Sequence, residues 1–482
     1  MAQRSHSTLT ERVIKAVALL GSAQAANILC SVIRVKFIAL WLGPIGTGLN
    51  TILINGASMI STATQLNLRD SAVRDLALPA HEETANLKTA VVRRWALLLG
   101  AIGAIAMILL SPALSASAYS GSLDYTLYFA GLAPFVFFSS YSAGEFAVMQ
   151  ARDRMKKIAH SNLTAAIAAT LISIPLLYFL RLKSIVLVIN IYAIAVAVCA
   201  FCWRERNIPT PEKKLGIRTL WREGKSFLKL GAAISMSVLL TALMNYILAA
   251  YINSYGGEAD LGIYQSGFTL VNSYVGIIFS AIAVEYYPRL TRYVDRPHVA
   301  RTIMTHEMLL ILRLVTPVAV IFIACSNFIV WILYSSQYEG VVPFVTFAIV
   351  GAIFRGVSLC YAYRILAAGD SKAFIITETL SVIFGLTVSI IGYRLASYLG
   401  LGIAYLLWYI FYTALTAIVC RLRYNVLLPL KTWGNVILSA AICGVAILLW
   451  YYVAWWLPLL TILPFILLLM SVSMKRHKRQ NA

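Results

Sequence analysis

The chain is short of charge, and of acid above all. Only 12% of its 482 residues are Asp, Glu, Lys or Arg, and 19 acidic residues face 40 basic ones. Ordinary soluble domains are about one quarter charged and about half apolar. At 60% apolar, this composition excludes such a domain. A net charge of +21 in a soluble protein would point to nucleic acid. Here the longest polar stretch, 204–225, is too short to form a basic domain, so no nucleic-acid partner is expected.

Cysteine is scarce, with seven residues, all in or at the ends of apolar runs. Cys199 and Cys202 have the spacing of a redox or zinc motif. With no second pair and no His nearby, they read as two buried thiols. The His residues sit in polar gaps or near helix ends, without a His-x-x-x-His pair. Gly43, Gly46 and Gly48 imitate a phosphate loop, but in a turn between apolar runs, with neither a strand nor a Lys-Ser/Thr. No catalytic residue, metal site or cofactor is expected. The chain does not read as an enzyme.

What the chain has is long apolar runs. A spanning helix needs about 20 mainly apolar residues. Such runs fall near 14–41, 46–68, 95–114, 125–149, 160–180 and 184–203, then near 227–252, 262–286, 307–333, 341–363, 373–393 and 401–420. A last hairpin covers 433–452 and 455–474. The breaks carry turn chemistry, as at Gly43-Pro44, Ser111-Pro112, Gly256-Gly257 and Gly369-Asp370. The first run, though preceded by Arg12 and Lys15 like a signal peptide, continues through Trp41 and reads as an uncleaved helix. The expected fold is an all-α polytopic membrane protein of about 14 transmembrane helices.

Basic residues occupy every second gap. Of the 40 Lys and Arg, 33 lie in gaps that would face one side. Loops rich in Lys and Arg stay cytoplasmic, so both termini are expected on the cytoplasmic side of the membrane.

The first twelve runs repeat as two sets of six. Gly43-Pro44 through Gly48 matches Gly257-Glu258 through Gly262. Ala118-Tyr119-Ser120 matches Leu333-Tyr334-Ser335, and Ala151-Arg152-Asp153 matches Ala368-Gly369-Asp370. Parallel repeats place a substrate site near mid-membrane and work by rocking. The expected domains are an N-lobe (1–203), a cytoplasmic linker (204–226), a C-lobe (227–424), two extra helices (425–474) and a basic tail (475–482). This layout favours a transporter over a channel.

Ionisable groups inside the runs are the candidate site, because each costs several kcal/mol in hydrocarbon. Arg34 and Lys36 interrupt the first run. They lie roughly 200° apart around a helix and cannot share a narrow face. Either they snorkel to the outer interface, or at least one faces an aqueous cavity. The repeat sets them against Leu248 and Ala250, so helix architecture alone does not demand cations there. Arg355 is another deep cation. Arg313 lies nearer the inner side, where snorkelling explains it equally well. Arg34, Lys36, Arg355 and Arg313 are the candidate substrate-binding residues. Glu145 and Glu378, near cytoplasmic helix ends, either pair with Arg364 or Arg152 or carry a coupling proton. Glu145, Glu378 and Arg364 are therefore the candidate coupling or gating residues. Glu285 reads as interfacial. Cations outnumber anions within the runs, which implies an anionic cargo such as a lipid-borne phosphate or diphosphate.

The segment Lys36-Phe37 through Trp41, Gly43-Pro44, Gly46 and Gly48 resembles the first helix and outer loop of Wzx-type polysaccharide flippases. These belong to the multidrug/oligosaccharidyl-lipid/polysaccharide exporter superfamily. Asn67 through Asp75 and Ala151 through Lys157 are similar to that family's second helix end and the loop after its fourth helix. The resemblance covers about 1–424. It implies translocation of an undecaprenyl-diphosphate-linked oligosaccharide (an O-antigen, common-antigen or capsule unit), driven by a proton or sodium gradient. It also implies a cationic cavity, with Lys36 at the position of the family's lumenal Lys. A polysaccharide polymerase complex is a candidate partner. The extra hairpin resembles the lipid II flippase branch, where such a pair lines a groove for the lipid tail; a peripheral stabilising hairpin is the other reading. A lipid II flippase and a cation-coupled multidrug exporter of the same fold are the alternatives.

Overall fold

A computed structural model describes residues 2–76, 82–204, 216–453 and 456–461. It is 92% helical, with no strand among the described residues. Eight of these helices are long and apolar enough to cross a membrane. Their outer faces carry Ile105, Leu109, Leu171 and Phe179 at 57–78% exposure. So much apolar surface is an aggregation hazard in water and the ordinary lining of a helix in lipid. The chain is a multi-pass, all-α membrane protein, as its composition requires.

Contacts divide it into two compact units, Met1–Gly262 and Ile263–Ala482. The first holds α1 (Ala2–Gln65), α2 (Leu68–Leu76), α3 (Glu82–Ala118), α4 (Thr126–Ala130), α5 (Ala133–Ala151), α6 (Met155–Leu180), α7 (Ile185–Trp203) and most of α8 (Ile217–Thr269). α3 packs on α5, α6 on α1 and α7, and α5 on α7. Apolar burial drives little association between helices in lipid, so close approach through small residues matters more. A Cβ on Gly144 would stand 2.4 Å from the Ala96 Cβ, and the Ser140 hydroxyl donates to the Ala96 carbonyl at 2.9 Å. α2 is a short amphipathic helix that buries Leu68, Ser71 and Ala72. Asp70 in its first turn and Arg74 in its last match the helix dipole.

α1 breaks at Gly43 (φ 63, ψ −164), a backbone conformation easy for glycine and costly for residues with a Cβ. α8 breaks in the same way at Gly257 (φ 84, ψ 176), 214 residues later. The helices on the far side of each break meet backbone to backbone. A Cβ on Gly48 would stand 1.8 Å from the Glu258 carbonyl oxygen, and one on Gly262 would stand 2.0 Å from that of Pro44. A second pair of breaks follows the same repeat. Arg181 after α6 (φ 50, ψ −133) matches Ser397 within α13 (φ 47, ψ −128). The duplication read from side chains is thus also written in the backbone.

The unit boundary falls beyond the polar stretch that sequence marks as a linker, of which 205–215 lie outside the described residues. Hydrogen bonds tie α8 to the first unit along its length. Trp95 Nε1 donates to the Leu220 carbonyl at 3.0 Å, Tyr246 to that of Leu114 at 3.0 Å, and Asn253 to that of Ala118 at 2.8 Å.

The second unit contains α9 (Val275–Thr291), α10 (Pro297–Ala324), α11 (Ser326–Leu333), α12 (Val342–Ala367), α13 (Ser371–Tyr424) and α14 (Leu430–Tyr452). A π-turn at Leu270–Tyr274 leads into α9. α12, mostly apolar apart from Arg355 and Arg364, is packed by α13 and α10. α14 lies on α10 and α12, burying Thr432, Val436, Ser439, Cys443 and Ala446, a single helical face. Each expected span through 433–452 has a helix or a helix arm. The last, 455–474, and the basic tail lie almost wholly outside the described residues, so the expected count of fourteen is not reached on them.

Candidate functional site

The first unit holds a half-open cavity of about 490 Å³, a size typical of small-ligand sites. α1 turns one face to it. Asn27, Ser31, Arg34, Val35 and Ile38 follow at helical spacing, and beyond the Gly43 break the next arm adds Asn50 and Ile54. α5 supplies Phe135, α6 supplies Asn162, and α7 supplies Val188, Ile189 and Tyr192. Ile38, Leu177 and Val188 form the apolar cluster behind it, with Phe37 and Trp41 packed against them.

Arg34 is the one charged group in this lining. Its guanidinium stands 4.5 Å from the centre of the Tyr192 ring, and its Nε is buried without a hydrogen-bond partner. The ring faces one side of the guanidinium plane and steadies it, an arrangement worth about 0.5–2 kcal/mol. Three side-chain amides, a serine and a phenol surround this cation, and no carboxylate is among the described residues that line the cavity. The set suits a phosphate beside hydroxyl-rich groups, and disfavours a cation. Lys36, half-buried, is not among the lining residues, in keeping with its place around the helix from Arg34.

The other candidate cations lie in the second unit, apart from this cavity. Arg355 donates from Nη1 to the Asn272 Oδ1 at 2.7 Å, and Tyr405 donates to the same oxygen at 3.2 Å. The Arg355 guanidinium lies 5.5 Å from the Phe279 ring and 5.8 Å from that of Tyr409. Asn272 belongs to the π-turn, a distortion often found at functional positions. Arg313 is half-buried, and its Nε has no hydrogen-bond partner.

Neither acid meets the cation considered for it. Glu145, 2% exposed, pairs instead with Arg93 of α3, through Nε to Oε1 and Nη2 to Oε2, both 2.9 Å. Arg152 instead reaches Asn86 at 3.3 Å. Glu378 takes a hydrogen bond from the Tyr412 hydroxyl and has no cation against it among the described residues. Arg364, 4% exposed, donates to the Val294 carbonyl at 3.1 Å and lies 4.7 Å from the Tyr424 ring. In the adjoining loop, the Ala373 amide and then Arg423 hold the Asp370 carboxyl below its usual range. No cluster of potential metal ligands occurs among the described residues.

Arg34 was legible as an isolated cation in an apolar run. Asn27, Asn50, Asn162 and Tyr192 were not singled out. The available signal was a polar residue at helical spacing from Arg34 or alone inside another run.

A family model described as polysaccharide biosynthesis protein matches residues 75–343. No curated protein matches the chain by sequence. Among solved structures, the lipid II flippase MurJ in an inward closed conformation is similar over 96% of this chain and 100% of its own, with 14% identity and a TM-score of 0.75. A mutant of the Vibrio cholerae MATE transporter VcmN is similar over 91% of this chain and 98% of its own, at 12% identity and TM-score 0.55. A Pyrococcus furiosus transporter of the MOP superfamily, described by the reverse polarity of its binding pocket, covers 89% of this chain and 96% of its own, at 11% identity and TM-score 0.58. At these identities the likeness is one of fold.

Proposed function

The chain belongs to the polysaccharide biosynthesis protein family, and from that premise we propose that it is a flippase for lipid-linked glycans. Its cargo in this reading is an undecaprenyl-diphosphate-linked oligosaccharide, an O-antigen, common-antigen or capsule unit, carried across the bacterial inner membrane by alternating access. The observation that carries the reading is the polarity of the cavity, whose described lining residues include one arginine, three amides and no carboxylate. A guanidinium held edge-on can grip a phosphate with two parallel hydrogen bonds. The amides and Tyr192 are suited to sugar hydroxyls.

Lys36, Arg355 and Arg313 are assigned further steps of the headgroup's path, and Arg364 a gating role. An ion gradient drives the cycle. Of the two acids first considered, Glu378 is the better carrier, because Arg93 already neutralises Glu145. The basic gaps favour cytoplasmic termini. A polymerase complex would receive the product.

The fit to the lipid II flippase over its whole length favours a second reading, with the same chemistry and a different headgroup. A multidrug exporter of cations is disfavoured by a cavity without acid. In cells whose surface polysaccharide depends on this chain, Arg34→Ala should block its export at unchanged membrane abundance. Normal polysaccharide in that variant would remove the reading.

A further inference from the structure

The two units each hold a buried acid–arginine pair, and the pairs differ. In the first unit one acid meets one arginine side-on, and both carboxylate oxygens of Glu145 are used. In the second unit one arginine is shared by two acids. Arg289 of α9 gives Nη1 to Glu285 at 2.9 Å, one turn earlier on the same helix, and Nη2 to Glu307 Oε2 of α10 at 2.5 Å. Glu307 Oε1 is left buried and without a hydrogen-bond partner, whereas each Glu145 oxygen lies 2.9 Å from an Arg93 nitrogen. Glu307 is 1% exposed, and Glu285 is 63% exposed. The trio therefore carries a net negative charge in a chain of +21, inside a helix long and apolar enough to span.

A buried carboxylate oxygen with no donor is costly. A proton on Glu307 would turn that oxygen into a hydroxyl and release Arg289 to its exposed partner. We propose that Glu307 is a proton-binding site, and that Arg289 lets go of Glu307 and keeps only Glu285 when the proton is bound. The step is a proton transfer between water and Glu307 Oε1, with no other bond changed. Because Arg289 links α9 to α10, loading the site loosens that link, and unloading restores it.

The groups around Glu307 are few. α9 brings Glu285, Arg289 and Tyr286, and α12 brings Cys360. Tyr286 is committed to the Cys360 carbonyl at 2.9 Å. α11 has no ionisable residue, and α14, also packed on α10, bears the exposed Lys431, the buried Cys443 and two exposed tyrosines at its far end. None of these is a second cation able to replace Arg289.

The inference deepens the coupling part of the flippase reading and rests on it for its purpose, but its test does not use transport. Infrared difference spectra of the full-length protein in lipid, between neutral and acid buffer, should show a protonated-carboxyl band. Glu307→Gln should remove a component of that band that is still present in Glu378→Gln and Glu145→Gln. In Glu285→Gln the arginine has only Glu307 to hold, so at a given acid pH that component should weaken about threefold. A band left unchanged by Glu307→Gln, a Glu307 component unmoved by Glu285→Gln, or one that gives way to a sodium-dependent signal would overturn the proposal. If the band behaves as expected but reconstituted protein moves no undecaprenyl diphosphate, the flippase reading fails and the proton site stands.

Discussion

Replacing Arg34 by alanine removes the only charge among the described residues that line the cavity. Hydrogen bonds to a charged group contribute about 1.5–3 kcal/mol, and loss of one partner from a desolvated charge pair costs about 2–5 kcal/mol. Arg34 is half-buried rather than sealed, so the lower part of that range applies, about 2–3 kcal/mol. At about 1.4 kcal/mol per tenfold, binding of a lipid diphosphate should weaken about 30- to 150-fold. Arg34→Lys keeps the charge but loses the planar fork and the packing over Tyr192, so a loss of about fivefold is expected. Tyr192→Leu should cost about two- to fivefold through the ring contact alone. The assay is equilibrium binding of undecaprenyl diphosphate to purified protein in nanodiscs, with undecaprenol as the uncharged control. Equal affinity in wild type and Arg34→Ala, both folded, would refute the reasoning. So would an equal loss for undecaprenol.

Three further outcomes follow from the same geometry. Arg93→Ala strands Glu145, 2% exposed, without its cation. It should lower stability by about 3 kcal/mol, seen as a reduced unfolding temperature, while the joint replacement Arg93→Met with Glu145→Leu should recover most of the loss; a harmless Arg93→Ala would contradict the pairing. Gly48→Ala drives a Cβ to 1.8 Å from the Glu258 carbonyl, whereas Gly434 has nothing within 4 Å, so thermal scans should show a clear loss for the first and none for Gly434→Ala. Asp370 is held below its ordinary range by the Ala373 amide and Arg423. A depressed acid stabilises the folded loop above its unfolded value near 3.8 and stops doing so as pH falls through the lower folded value. Hydrogen exchange at Ala373 should thus stay slow at neutral pH and quicken only at strongly acid pH, and Asp370→Ala should remove that dependence.

Much of the architecture was legible because a bilayer narrows the choices. Apolar length fixes a span, and internal hydrogen bonding fixes a helix. The repeat was legible for a related reason. Gly43 and Gly257 permit a backbone turn that few residues can make, so position and geometry coincide. The same device at Arg181 and Ser397 left no trace, because neither residue announces a positive φ. Arg34 could be found from the cost of a charge in an apolar run. Its companions could not be placed, since Asn50, Asn162 and Tyr192 come from different helices and only packing brings them together. The acid partners failed for the same reason. Arg93 and Glu145 are 52 residues apart, and nothing local links them, whereas Glu307, in no list of candidates drawn from sequence, has its arginine on another helix.

The most direct measurement is the movement of a fluorescent undecaprenyl-diphosphate glycan between leaflets of liposomes containing the purified protein. The account predicts protein-dependent movement that Arg34→Ala suppresses to near the protein-free rate. Movement unaffected by that substitution, or efflux of a cationic dye in place of the lipid, would contradict it.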